Sequence, residues 1–84
     1  MLGSAMSAQV DAVMRAVSHV MTWPLDGLAP STPFATLGVD SIALVVIADV
    51  LEAENAGWIV TTDMLKTARS IQELADVIIV GEPK

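Results

Sequence analysis

Phe34-Ala35-Thr36-Leu37-Gly38-Val39-Asp40-Ser41-Ile42 is the stretch on which the fold turns. It carries a glycine-containing loop into a run, Ile42 to Leu51, made almost wholly of apolar and helix-favouring residues. Asp40 is a favoured N-cap type, so its carboxylate is expected to accept from first-turn N–H groups and complement the positive end of the helix dipole. Ser41 then falls in the first turn with its hydroxyl directed outward, and Gly38 supplies the backbone freedom for the bend. Taken alone, Asp40-Ser41 is an ordinary capping pair. A nucleophilic serine needs an activating base, and the sole histidine, His19, falls in the predicted first helix as a surface or boundary residue. Gly38-Val39-Asp40-Ser41-Ile42 also lacks the strand-turn-helix G-x-S-x-G context of a hydrolase fold, which this chain is too short to build. A serine presented without a second catalytic group is one to be modified by another protein.

Outward from that stretch, the pattern is helical. Val10, Val13, Met14, Val17, Val20 and Met21 recur at three-and-four spacing between Ser7, a candidate N-cap, and Trp23-Pro24, which ends the helix. Gln9, Asp11, Arg15 and Ser18 take the opposite face. From Pro24 to Val39, Pro24, Gly27, Pro30, Pro33 and Gly38 forbid a continuous element, so this is a long loop anchored by Leu25, Leu28, Phe34 and Leu37. The second helix is expected from Ser41 to about Asn55, stopped near Gly57. Leu44, Ile47, Ala48 and Leu51 form its core strip; Ile42, Val45, Val46, Asp49, Glu52 and Ala53 gather on the other side. Trp58-Ile59-Val60 reads as an extended link, and Thr61 or Thr62 caps a short helix over Asp63 to Lys66. Ser70-Ile71-Gln72-Glu73 fits a capping box for a last helix whose stripe is Ile71, Leu74, Ala75, Ile78 and Ile79, closed by Gly81 and Pro83.

Composition narrows the classes. The chain has 84 residues, 54% of them hydrophobic, and no cysteine, so one small domain must be held by packing alone. Aromatic residues are only Trp23, Phe34 and Trp58, which predicts an aliphatic interior. Four basic residues against ten acidic ones give a net charge of −6, opposite to the footprint of a nucleic-acid binder. Apolar runs fall short of the roughly 20 residues of a membrane span. No secretory signal pattern is present, and with no cysteine a cytoplasmic location is expected. The acidic residues from Asp11 to Asp76 show no metal-binding spacing, and Met6, Met14, Met21 and Met64 read as packing residues. Residues 1–5 read as a cloning remnant, 6–81 as a single domain and 82–84 as a tail.

Leu37-Gly38-Val39-Asp40-Ser41-Ile42 resembles the attachment motif of acyl and peptidyl carrier proteins. The likeness extends over about residues 7 to 80: a long first helix, a Pro-containing loop with Phe34 and Leu37, and a short helix before the last. The resemblance implies an all-α, four-helix carrier bundle with a long loop between helices 1 and 2 and a short third helix. It implies that Ser41 carries 4′-phosphopantetheine, with Asp40 as the helix cap beside it, and that the chain is substrate rather than enzyme. Implied partners are a phosphopantetheinyl transferase, using magnesium-bound coenzyme A, and acyl- or aminoacyl-loading and processing enzymes, with the chain acting as a monomer. The implied docking surface is Leu37, Ile42, Val45, Val46, Asp49 and Glu52. Ala43, Val46 and Ala53 stand where carriers of fatty-acid synthesis usually place acids, which favours a carrier of polyketide or nonribosomal peptide synthesis. Two rivals remain: a helical adaptor binding through Val45, Val46 and Val50 without an arm, and an acidic module phosphorylated at Ser41, where about two negative charges would sit at a helix start.

Overall fold

The computed structural model describes residues 4–80, with side chains from Ala8 onward. Four helices follow in order: α1 (Ser4–Met21), α2 (Ser41–Glu54), α3 (Thr62–Thr67) and α4 (Ile71–Val77). Two short strands, β1 (Trp58–Ile59) and β2 (Ile79–Val80), pair antiparallel with Trp58 opposite Val80 and Ile59 opposite Ile79. The architecture is a helical bundle in which α1 packs on both α2 and α4, while α3 bridges α2 and α4.

The core is aliphatic, as the composition predicts. Val13 and Val17 of α1, Ile47 and Leu51 of α2, and Ile71 and Leu74 of α4 are its most deeply enclosed side chains. Phe34 is its one aromatic member; Trp23 is exposed and Trp58 half-buried.

Helix ends follow local chemistry, with three departures from expectation. The first helix begins at Ser4, so Ser7 lies inside it rather than capping it. Its other end closes as anticipated before Pro24: the Trp23 N–H donates to the Ser18 carbonyl at 3.0 Å, which forces Thr22 to φ 53°. That six-residue closure normally uses glycine at the left-handed position, because a Cβ there crowds the following carbonyl by about 1–2 kcal/mol. Thr22→Gly is therefore expected to stabilise the domain by about 0.5–1 kcal/mol after the entropy glycine adds to the unfolded chain, raising the melting temperature by about 4 °C. Calorimetry of the variant checks this.

The second departure is at Glu73. Ser70 does cap α4, accepting from the Glu73 N–H at 3.2 Å, but the Glu73 carboxylate reaches past it to the Arg69 N–H at 2.8 Å, so no reciprocal box closes. Third, α4 stops at Val77. Ile78 is its buried C-cap in extended geometry, and Ile79 leaves the helix for β2, where it is 51% exposed. The β-branched run Val77 to Val80 suits a strand, and pairing with β1 supplies the hydrogen bonds that another helical turn would have made. Gly81 and Pro83, read as closing that helix, lie outside the described residues, as do 82–84.

The loop between α1 and α2 is built rather than loose. Two 3-10 turns, Leu25–Gly27 and Phe34–Leu37, interrupt it. Phe34 donates its N–H to the Arg69 carbonyl at 2.8 Å, and the Gln72 N–H donates to the Pro30 carbonyl at 2.7 Å, sewing the loop to the α3–α4 link and to the first turn of α4. Leu28, Phe34 and Leu37 are buried as anchors, but Leu25 is exposed. Gln9, read as part of the outward face of α1, instead donates to the Ala75 and Ile78 carbonyls at the end of α4.

Candidate functional site

Ser41 stands at the first position of α2, where the Phe34–Leu37 turn delivers the chain. Gly38 closes that turn at φ 76°, and a Cβ built there would meet nothing within 4 Å, so the demand for glycine is conformational and not steric. Val39 donates to the Phe34 carbonyl at 3.0 Å and buries its side chain, pulling the loop taut just before the helix starts. Asp40 is the N-cap, its Oδ1 accepting from the Ala43 N–H at 2.8 Å. That carboxylate satisfies one of the otherwise unpaired first-turn donors. Asp40→Ala should cost about 1 kcal/mol in urea denaturation and loosen the loop-to-helix join, while leaving the Ser41 hydroxyl in place.

Ser41 itself is exposed, and its Oγ has no hydrogen-bond partner among the described residues. A hydroxyl so placed is accessible to an external reagent and already fixed by the helix that carries it. His19 is exposed, sits in the last turn of α1, and lines neither of the depressions beside Ser41. Among the described residues no three His, Asp or Glu side chains cluster as a metal site.

Those two depressions flank the serine. One, of about 140 Å³, runs between α2 and α3 and is lined by Ser41, Leu44, Val45, Thr62, Leu65 and Lys66. The other is wider and shallower, continuing past Asp40 and Val39 to Phe34, Ala68 and Arg69. Sequence reading did not bring Thr62, Leu65, Lys66 and Arg69 to this site. Nothing in a six-residue helix announces which earlier helix it will lie against.

The predicted docking residues divide. Ile42, Val45 and Val46 are 75%, 51% and 43% exposed, an apolar strip running down α2 from Ser41, and Asp49 is exposed one turn further along. Leu37 does not belong with them: at 5% exposure it is a core anchor, because the 3-10 turn points it inward together with Phe34. Glu52 is exposed, but its carboxylate folds toward β1 and accepts the Val60 N–H at 2.8 Å, so it ties the α2–α3 connection rather than standing as an open charge. Leu44, placed in the core strip, is only half-buried, which is what gives the groove its apolar floor. No helix of the described residues is long and apolar enough to cross a membrane.

A family model described as phosphopantetheine attachment site matches residues 11–78. No curated protein and no solved structure matches the chain.

Proposed function

The chain belongs to the phosphopantetheine attachment-site family, and on that premise we propose that Ser41 is the residue that receives the group. It is a carrier protein whose covalent prosthetic group is 4′-phosphopantetheine. Domains of this kind are generally carriers and not catalysts, and they meet a phosphopantetheinyl transferase and the enzymes that load and process their cargo.

The residues present fit such a group. The supporting observation is a single one: an exposed Ser41 Oγ without a hydrogen-bond partner among the described residues, at the start of a capped helix with an open groove on its α3 side. In the modification step the Ser41 oxygen forms a new bond to the β-phosphorus of coenzyme A. The P–O bond to the nucleotide breaks, 3′,5′-adenosine bisphosphate leaves, and the serine proton passes to a base of the transferase. Asp40 holds the helix start by its cap while the α2 dipole favours the negative charge arriving beside it. The attached group supplies the terminal thiol, absent from this cysteine-free chain, on which an acyl or aminoacyl group is held as a thioester.

The partner surface is Ile42, Val45, Val46 and Asp49, next to the serine. Ala43, Val46 and Ala53 leave it poor in acids, which supports a carrier of polyketide or nonribosomal peptide synthesis over one of fatty-acid synthesis. Because each enzyme must release the carrier, its contacts are small in area and rely on steering as much as on burial.

The test is incubation of the purified chain with a broad-specificity transferase, magnesium and coenzyme A, followed by intact-mass and fragment-ion measurement. The expected result is one phosphopantetheine per chain, localised to Ser41. No mass gain overturns the carrier assignment, and a gain on any other residue overturns the site.

A further inference from the structure

In an acidic chain, the placement of the few positive charges carries information. Among the described residues the basic side chains are Arg15, Lys66 and Arg69. Arg15 is paired with Asp11 at 3.0 Å on the surface of α1. Lys66 and Arg69 have no carboxylate within ion-pair distance among the described residues, and both line the depression that Ser41 and Asp40 border. They stand three residues apart, Lys66 in the last turn of α3 and Arg69 in the α3–α4 link, and both border the same depression as Ser41.

Their backbones are firmly seated. The Arg69 carbonyl accepts from Phe34 and its N–H donates to Glu73 Oε1, both at 2.8 Å. The Phe34 bond joins the link to the same turn that delivers Ser41, so the arginine and the serine share one rigid frame. Lys66 lies at the end of a helix whose start is capped by Thr61. The one acidic side chain lining that depression, Asp40, is committed to the α2 cap through Oδ1.

Resting on the reading of Ser41 above, we propose that Lys66 and Arg69 form a cationic clasp for the phosphodiester that modification places on Ser41. The ligand chemistry is a phosphate diester monoanion beside the Asp40 carboxylate in a chain of net charge −6, where cations facing it offset the repulsion. Arginine provides planar, paired donors and lysine a mobile point charge. The consequence is regulatory. The root of the arm is drawn toward α3, along the groove that Val45 lines, and away from Ile42 and Val46, and a partner enzyme that docks on those residues releases it by supplying competing phosphate contacts. Exposed cations act across solvent, so the clasp is weak and screened by salt.

The experiment compares the unmodified and modified chain by phosphorus and nitrogen NMR at low and high sodium chloride. On modification the Lys66 and Arg69 side-chain resonances shift while that of Arg15 does not, and high salt reverses the change. In the double variant K66A/R69A the fraction of arm held drops by about fivefold and the phosphorus resonance loses its salt response; the charge-conserving K66R/R69K retains it. Salt-independent resonances in modified wild type, or identical behaviour in K66A/R69A, overturn the clasp while leaving the carrier reading intact. Unchanged phosphorus behaviour in K66A/R69A with slower loading by a processing enzyme overturns it too and assigns the cations to an acidic partner surface. Failure of wild type to accept the group removes both proposals at once.

Discussion

Ser41→Ala is expected to abolish the phosphopantetheine mass increment completely, while the melting temperature stays within about 3 °C of wild type. The two outcomes together matter more than either alone. Ser41 is exposed and its hydroxyl has no hydrogen-bond partner among the described residues, so its removal leaves no buried group unsatisfied. Alanine is also the better helix former at that position, which offsets any small local loss. A large fall in stability would mean that the oxygen supports the fold rather than serving a visiting enzyme. Persistent modification of the variant would shift the assignment to another hydroxyl, with Thr62, across the same groove, the first to inspect by fragment ions. Asp40→Ala provides the contrast: it weakens the cap but keeps the acceptor, so modification is expected to slow and not to vanish.

The second large effect is expected at Ile47→Ala, one residue along α2 from an exposed valine. Ile47 is fully enclosed, and deleting its branched side chain removes buried area and leaves a cavity that rigid neighbours only partly close. The expected cost is about 3 kcal/mol. For a domain of this size the total stability is about 4–12 kcal/mol, so the midpoint in urea falls by a quarter or more. Val46→Ala, with the wild-type side chain 43% exposed, is expected to change stability by less than about 0.5 kcal/mol and instead to weaken loading by a partner enzyme. Matched losses of stability at both positions would mean that the outer strip of α2 is covered within this chain, and the docking surface would then have to be sought elsewhere.

The adjacency of those two residues shows how the information is divided. Periodicity placed Leu44, Ile47, Ala48 and Leu51 on one side of α2 and Ile42, Val45 and Val46 on the other, and the acids Asp49 and Glu52 marked the second side as outward; Leu44 alone of the first strip is only half-buried. Helix starts were legible at Asp40 and Ser70, and at α3 to within Thr61 or Thr62, of which Thr61 caps, since each cap is a contact to a backbone N–H three residues ahead. The Thr22 closure lay within the same reach, with Trp23-Pro24 marking the stop.

Leu37 and Leu25 illustrate the opposite case. Both are leucines in one proline-punctuated loop, yet Leu37 is buried and Leu25 exposed, and no local rule separates them. Their fates depend on how the loop is sewn to the α3–α4 link, through partners more than thirty residues away. Glu52 was legible as an outward acid but not as the acceptor for Val60, and Ile79 was legible as apolar but not as half of a strand pair, because each depends on a segment folding back.

The sequence by itself determined the four helices, the caps at Asp40 and Ser70, the presented serine and the absence of a thiol, all of which rest on the identity of residues or on contacts within about one helical turn, but not the start of α1 or the end of α4. The tertiary structure alone decided that Thr62, Leu65, Lys66 and Arg69 face Ser41 across a groove. Closing the chain brings α3 against α2 to bury Leu65 and Ile47, and the charged residues are carried to the serine by that burial.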